Sequence, residues 1–165
     1  MILAFAHPGL VVPDLKKAQA FYTAMFGFEK ISDEGWSDDE WMDRAVGLKG
    51  SATKGCMMRG HNCFIELWEY SLPAQTGPAP EQLLSHEMGI RHLAFYVDDC
   101  RKEYQRLLDL GGLPLGEPVG EPGQGSAVYC RDPFGNIIEL AEVPSDNELP
   151  TTLPGVSSNG NFNAN

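Results

Sequence analysis

Four side chains in this sequence combine metal-ligand chemistry with a repeated spacing: His7 and Glu66 in the first half, His92 and Glu139 in the second. Two imidazoles and two carboxylates make a mixed nitrogen and oxygen donor set, suited to Zn, Ni, Co, Mn or Fe(II) at bond lengths of about 2.0–2.2 Å. A single histidine is more often a hydrogen-bonded structural residue, and a single strand glutamate more often faces water. Here both types recur together. A shift of 85 residues lays AHPGLVVPDLKKAQAFYTAMFG on RHLAFYVDDCRKEYQRLLDLGG, superposing His7 on His92, Val12 on Val97, Asp14 on Asp99, Lys17 on Lys102 and Gly27 on Gly112. FIELWE then repeats as IIELAE, which pairs Glu66 with Glu139. A charged carboxylate set between apolar strand neighbours is costly to bury without a partner, and the same arrangement occurs twice.

The elements that must position these residues follow from local pattern. LAFAHPGLVV reads as a strand, Pro13-Asp14 as a turn, and Leu15 to Phe26 as a helix capped by Asp14 and stopped at Gly27. IRHLAFYVDD and a helix from Cys100 to Leu110, ending at Gly111-Gly112, repeat the plan. KGCMMRG and HNCFIELWEY in the first half, and SAVYCRD and NIIELAEV in the second, are further strands, with RDPFGN as a tight turn before the last. Each half is thus a strand, a helix and about three more strands. The expected organisation is a first βαβββ module over 1–72, a Pro- and Gly-rich linker over 73–88 with a short helix around Gln82 to His86, a second module over 89–144, and a polar tail over 145–165.

Strand alternation places Glu66 on a face with Phe64 and Trp68, and Glu139 on a face with Ile137 and Ala141. Modules packed about a pseudo-twofold axis would bring the four ligands to one concave sheet surface. Val11, Trp68, Tyr96 and Tyr129 reach the same faces by parity or position, as pocket lining or as ordinary core. Glu69 and Glu142 repeat with opposite parity and read as a solvated or interface pair. His61 and His86 have no counterpart and read as surface or loop residues. The His-to-Glu spacing is 59 in the first half and 47 in the second, so an insertion falls within Asp33 to Gly47. Its Trp36 and Trp41 suit a lid, and its Asp38, Asp39 and Glu40 suit a solvated loop.

Composition excludes several function classes. A net charge of −11 and 42% hydrophobic residues describe a globular chain that repels phosphate backbones and anionic membranes. Nucleic-acid and membrane partners are not expected, and neither a secretion signal nor a membrane-length apolar run is present. A cytoplasmic setting follows, with Cys56, Cys63, Cys100 and Cys130 reduced and mostly buried.

The segments HPGLVVPDLKKAQAFYTAMFGF, NCFIELWEY, GIRHLAFYVDD and RDPFGNIIEL together resemble the vicinal oxygen chelate superfamily, which includes glyoxalase I, methylmalonyl-CoA epimerase, extradiol dioxygenases and the bleomycin and fosfomycin resistance proteins. The resemblance implies an α+β fold of two βαβββ modules forming a half-open mixed β-barrel around a divalent metal, with His7, Glu66, His92 and Glu139 at the ligand positions. It implies a small-molecule substrate and a homodimer, the site being built within one chain or between two.

Coordination number separates the activities. Four protein ligands on an octahedral ion leave two positions, enough for a substrate that chelates through neighbouring oxygens. Ring cleavage by an Fe(II) extradiol-type dioxygenase needs a third, so Glu66 counts against that alternative. A non-catalytic ligand-binding resistance protein, the other alternative, would not need the full ligand set. Glutathione-dependent glyoxalases resemble one another in an Arg and an Asn where this chain has Val11 and Tyr70, so glutathione is not the expected co-substrate. The expectation is a metal-dependent lyase, isomerase or epimerase working through an enediolate-like intermediate, with Glu139 as first candidate for the base and Glu66 as second.

Overall fold

A computed structural model describes residues 1–143, so the tail expected over 145–165 lies outside the described residues. The chain divides into two units, Met1–Gly77 and Pro78 onward. Each is an α+β module with one four-stranded sheet.

In the first unit the elements are β1 (Gly9–Val11), α1 (Leu15–Phe26), β2 (Glu29–Trp36), α2 (Glu40–Val46), β3 (Ala52–Gly60) and β4 (Cys63–Leu72), with sheet order β1-β4-β3-β2. The β1/β4 pair is parallel and the other pairs are antiparallel. The second unit holds β5 (His92–Val97), α3 (Cys100–Asp109), β6 (Leu113–Pro114), β7 (Ala127–Arg131) and β8 (Ile137–Glu142), in the matching order β5-β8-β7-β6.

α1 has the limits expected of it. The Asp14 carboxylate accepts the Lys17 N–H, and Gly27 takes the left-handed φ of 69° that a side chain would oppose. α3 begins with the same cap from Asp99 to the Lys102 N–H. Two local expectations need correction, and one strand had no sequence signal. β1 is only three residues long, because Pro8 has no N–H to give a ladder; its carbonyl instead accepts the Glu66 N–H at 3.0 Å. β2 was not legible, since EKISDEGW is an exposed edge strand without apolar alternation. Gln82 to His86 forms turns instead of a helix.

The core of each unit lies on the sheet face that carries its helix. Val12, Ala18, Phe21, Tyr22, Met25, Phe28, Cys56, Met58, Ile65 and Leu67 are buried in the first unit, and Cys100, Leu107, Val128, Cys130, Ile138 and Leu140 in the second. Burying each large aliphatic contributes about 1.5–3 kcal/mol, which fixes strand register so that the alternate residues face away. The four cysteines are free thiols, and burial pushes Cys130 up to about 12.

Glu69 and Glu142 are not a solvated pair. Glu69 Oε2 accepts the N–H of Leu15, the first residue of α1, at 2.6 Å, and Glu142 Oε2 accepts that of Cys100, the first residue of α3, at 3.1 Å. Each ties the end strand of its module to the start of its helix, where anionic charge is favoured. Backbone N–H groups of Gly123 and Cys100 hold the Glu142 carboxyl below its ordinary value of 4.5. The stabilisation it provides is therefore complete above pH 4.5 and is lost as pH falls through the lower, folded-state value. Urea midpoints followed downward from neutral pH should fall less steeply in Glu142→Gln than in the native protein; equal slopes would show that this carboxylate is not linked to folding.

Candidate metal centre

Because Ile65 and Leu67 are buried towards α1, Glu66 and Trp68 emerge on the other face of β4. The parallel register sets Gly9 beside Glu66 and Val11 beside Trp68, and His7 lies just ahead of β1. His7 Nε2 stands 3.3 Å from Glu66 Oε2. The same oxygen accepts the Trp68 indole N–H at 2.7 Å. Across the antiparallel pair, Gly55 of β3 makes room for this indole, since a Cβ there would sit 2.4 Å from the ring. Trp36, at the end of β2, meets Trp68 edge-on at 5.0 Å and Tyr70 at 5.9 Å between centroids. Burial, with the charge of Glu66 added, raises the Tyr70 hydroxyl above its ordinary range.

The second unit builds the same pair with different support. Ile138 and Leu140 are buried against α3, leaving Glu139 on the face with Ala141. His92 Nε2 stands 3.2 Å from Glu139 Oε2, and the Tyr129 hydroxyl lies 3.1 Å from that oxygen, donating to it. The Tyr129 ring meets His92 edge-on at 5.1 Å. Burial raises the Tyr129 hydroxyl, and its bond to Glu139 and that carboxylate's charge add to the effect.

The residues expected from sequence thus stand as follows. His7 is brought to Glu66, and His92 to Glu139. Within each unit, no third His, Cys, Asp or Glu side chain joins the pair among the described residues. Trp68 and Tyr129 each hydrogen-bond the glutamate of their own unit. Val11, 55% exposed, pairs with Trp68, and Tyr96, 69% exposed, pairs with Ala141 at the equivalent position. His61 occupies the β3–β4 turn with Nε2 2.9 Å from the Phe26 carbonyl, and His86 is exposed; neither approaches a pair. The insertion holds α2 and divides its tryptophans, with Trp36 against Trp68 and Trp41 70% exposed. The parts not foreseen are Gly55 and the Ser51 hydroxyl that accepts the Trp36 N–H at 2.7 Å. A glycine inside KGCMMRG carried the signal, since strand glycines mark close approach.

The donor chemistry fits a divalent ion. Two donors bound side by side at about 2.1 Å on one octahedral ion stand about 3.0 Å apart, close to the separation seen in each pair. All four side chains are partly exposed, between 20% and 38%. An ion can therefore reach them.

Residues 4–140 match the Glyoxalase/Bleomycin resistance protein/Dioxygenase superfamily. The chain belongs to this superfamily. A 2-epi-5-epi-valiolone epimerase from an Actinomyces species is 32% identical over 155 residues, covering 87% of this chain and 81% of that protein. A 4-hydroxyphenylpyruvate dioxygenase from Xenopus tropicalis is 25% identical over 126 residues, or 76% of this chain and 29% of that protein. The chain spans less than a third of that dioxygenase. The crystal structure of a glyoxalase family protein from Bacillus cereus superposes with a TM-score of 0.75 at 24% identity, covering 86% of this chain and 95% of that one. The fosfomycin resistance protein FosX from Listeria monocytogenes, complexed with Mn(II) and sulfate, gives 0.55 at 23% identity, with 90% and 99% covered. These two superpositions establish the superfamily fold of paired βαβββ modules in this chain.

Proposed function

We propose that the chain is a divalent-metal-dependent epimerase of small α-hydroxy ketones, with His7, Glu66, His92 and Glu139 as its ligand set. The doubled His–Glu pair, with one imidazole facing one carboxylate in each module, is the observation that carries this reading. The match to an epimerase over most of the chain supports the reaction class. When bound, the ion supplies positive charge to two neighbouring oxygens of the substrate and so acidifies the carbon next to the carbonyl.

The chain's own residues move and return the proton. Epimerisation removes it from one face of that carbon and restores it on the other, which calls for two acid–base groups. Glu139 is the better acceptor of the two glutamates. Tyr129 donates to the charged Glu139 oxygen and can accept from it once that oxygen is protonated, so the contact survives proton uptake. The Trp68 indole only donates, so it has no lone pair with which to accept from the bonded Glu66 oxygen once that oxygen carries a proton. Glu139 therefore takes the proton from one face, Glu66, having taken up a proton from water, delivers it to the other, and exchange with water returns Glu139 to the carboxylate.

The test uses a single enantiomer of acetoin in D2O with protein loaded in turn with Mn(II), Co(II), Ni(II) and Zn(II). Loss of optical rotation together with one deuterium incorporated at the carbinol carbon is expected, and chelator should abolish both. Retention of configuration with every ion, combined with oxygen uptake on catechols under Fe(II), would replace this reading with ring cleavage.

A further inference from the structure

The insertion that distinguishes the first module has no role in holding a metal ligand directly, yet a continuous chain of contacts runs from it to Glu66. Asp43 of α2 accepts from the Ser51 hydroxyl at 2.7 Å and from the Ser51 N–H at 2.8 Å. Ser51 is 1% exposed, and its hydroxyl in turn accepts the Trp36 indole N–H at 2.7 Å. Trp36 then stands 5.0 Å from Trp68 with the two rings inclined at 62°, and 5.9 Å from Tyr70 at 84°. Trp68 completes the path with its bond to Glu66. All three rings are partly exposed. The result is an aromatic corner, fixed through a buried hydroxyl and opening beside a carboxylate.

The second module has nothing comparable. The positions matching Gly55 and Trp68 are Ala127 and Ala141, and no helix follows the strand-like segment that corresponds to β2. The hydrophobic core residues of β3 and β4, Cys56, Met58, Ile65 and Leu67, lie on the opposite face, and on the corner's own face only Thr53 and Gly55 of β3 are buried. A flexible chain is not the ligand such a surface selects. Rigid aromatic faces set at an angle gain most from a rigid partner presenting a flat patch of C–H groups, while polar groups on its rim reach the carboxylate. A ring polyol has that shape: its axial C–H bonds form an apolar face, and its hydroxyls point outward around the edge.

We propose that Trp36, Trp68 and Tyr70 form a specificity surface that selects ring-shaped polyhydroxylated ketones over open-chain ones. Trp36 is its determining residue, and the α2 insertion is the device that holds Trp36 in place. This proposal rests on the reading of the chain as an α-hydroxy ketone epimerase and narrows its substrate to cyclic members of that class.

Two measurements separate the failure of this proposal from failure of that reading. Binding is read without turnover by titration calorimetry with myo-inositol, a ring polyol that cannot enolise, with the open-chain sorbitol as control. Native protein should bind myo-inositol in preference to sorbitol, and Trp36→Leu should weaken that binding by about tenfold or more while leaving sorbitol unchanged. Saturation of the indole proton resonances of the native protein should transfer to the ring C–H protons of myo-inositol, a readout that needs no variant to fold. Turnover is read as deuterium exchange into 2-hydroxycyclohexanone and acetoin. Trp36→Leu should raise KM for the ring ketone about tenfold and change KM for acetoin by a clearly smaller factor, so that the ratio of the two moves against the ring ketone. Equal myo-inositol binding in native and variant protein, or no saturation transfer, overturns the aromatic surface whatever the exchange data show. Trp36-dependent myo-inositol binding without exchange into either ketone keeps the surface and overturns the epimerase.

Discussion

Glu139→Gln is expected to reduce deuterium exchange into an α-hydroxy ketone by about 10²–10⁴-fold while leaving the fold intact, the usual size of a lost general base. The amide keeps the shape of the side chain and can still accept the Tyr129 hydroxyl, now 3.1 Å from the carboxylate, but it cannot take up a proton. Glu66→Gln should reduce exchange less, because the partner of Glu66 is the Trp68 indole, which can donate but cannot reverse its hydrogen bond as a tyrosine hydroxyl can. Tyr129→Phe gives an independent check: it removes the group able to follow Glu139 through proton uptake, so kcat should fall while KM for the ketone changes little. Metal content measured alongside separates loss of the base from loss of the ion. If Glu139→Gln retained native exchange with a full complement of metal, Glu139 would not be the base.

The second large effect concerns the ion. Native protein should bind one divalent ion per chain, and His7→Ala or His92→Ala should each weaken that binding by more than about 100-fold, beyond the 10–100-fold typical of groups that only orient a ligand. Elemental analysis after dialysis against a chelator of known affinity measures both. The stoichiometry decides the matter, because His7 and His92 belong to different modules, at 3.3 Å and 3.2 Å from their respective glutamates. Two ions per chain, each lost with only one of the histidines, would mean two separate sites. Tight binding that survives either substitution would remove the proposed ligand set altogether.

How much of this is legible in the sequence depends on whether a feature is written locally or across the sheet. The helix from Leu15 to Phe26 was readable because Asp14 and Gly27 bracket it, and the two IEL strands because an acidic residue alternates with buried aliphatics. The His–Glu pairs followed from the repeat, since equivalent strands in equivalent sheets bring equivalent residues together. β2 was not legible because it is an exposed edge strand with little burial to imprint a period. Strand alternation puts Glu69 and Glu142 on the correct face without revealing their surroundings. Parity specifies a side, and says nothing of the helix N-terminus that lies there. The Ser51–Trp36–Trp68 path joins a loop residue to residues of β2 and β4, far apart in sequence, and is beyond any local pattern.

The glycine beneath Trp68 has a consequence for the ancestry written into the two halves. Gly55 leaves the space that the indole fills, whereas Ala127, its counterpart, already carries a methyl group opposite Ala141. Bulk has been redistributed in compensating steps, with Val11 opposite the large Trp68 and the large Tyr96 opposite Ala141. Exchanging the final strands of the two halves would drive an indole into the Ala127 methyl and leave a void over Gly55. The duplicates have become complementary parts, and neither can any longer serve as a spare for the other.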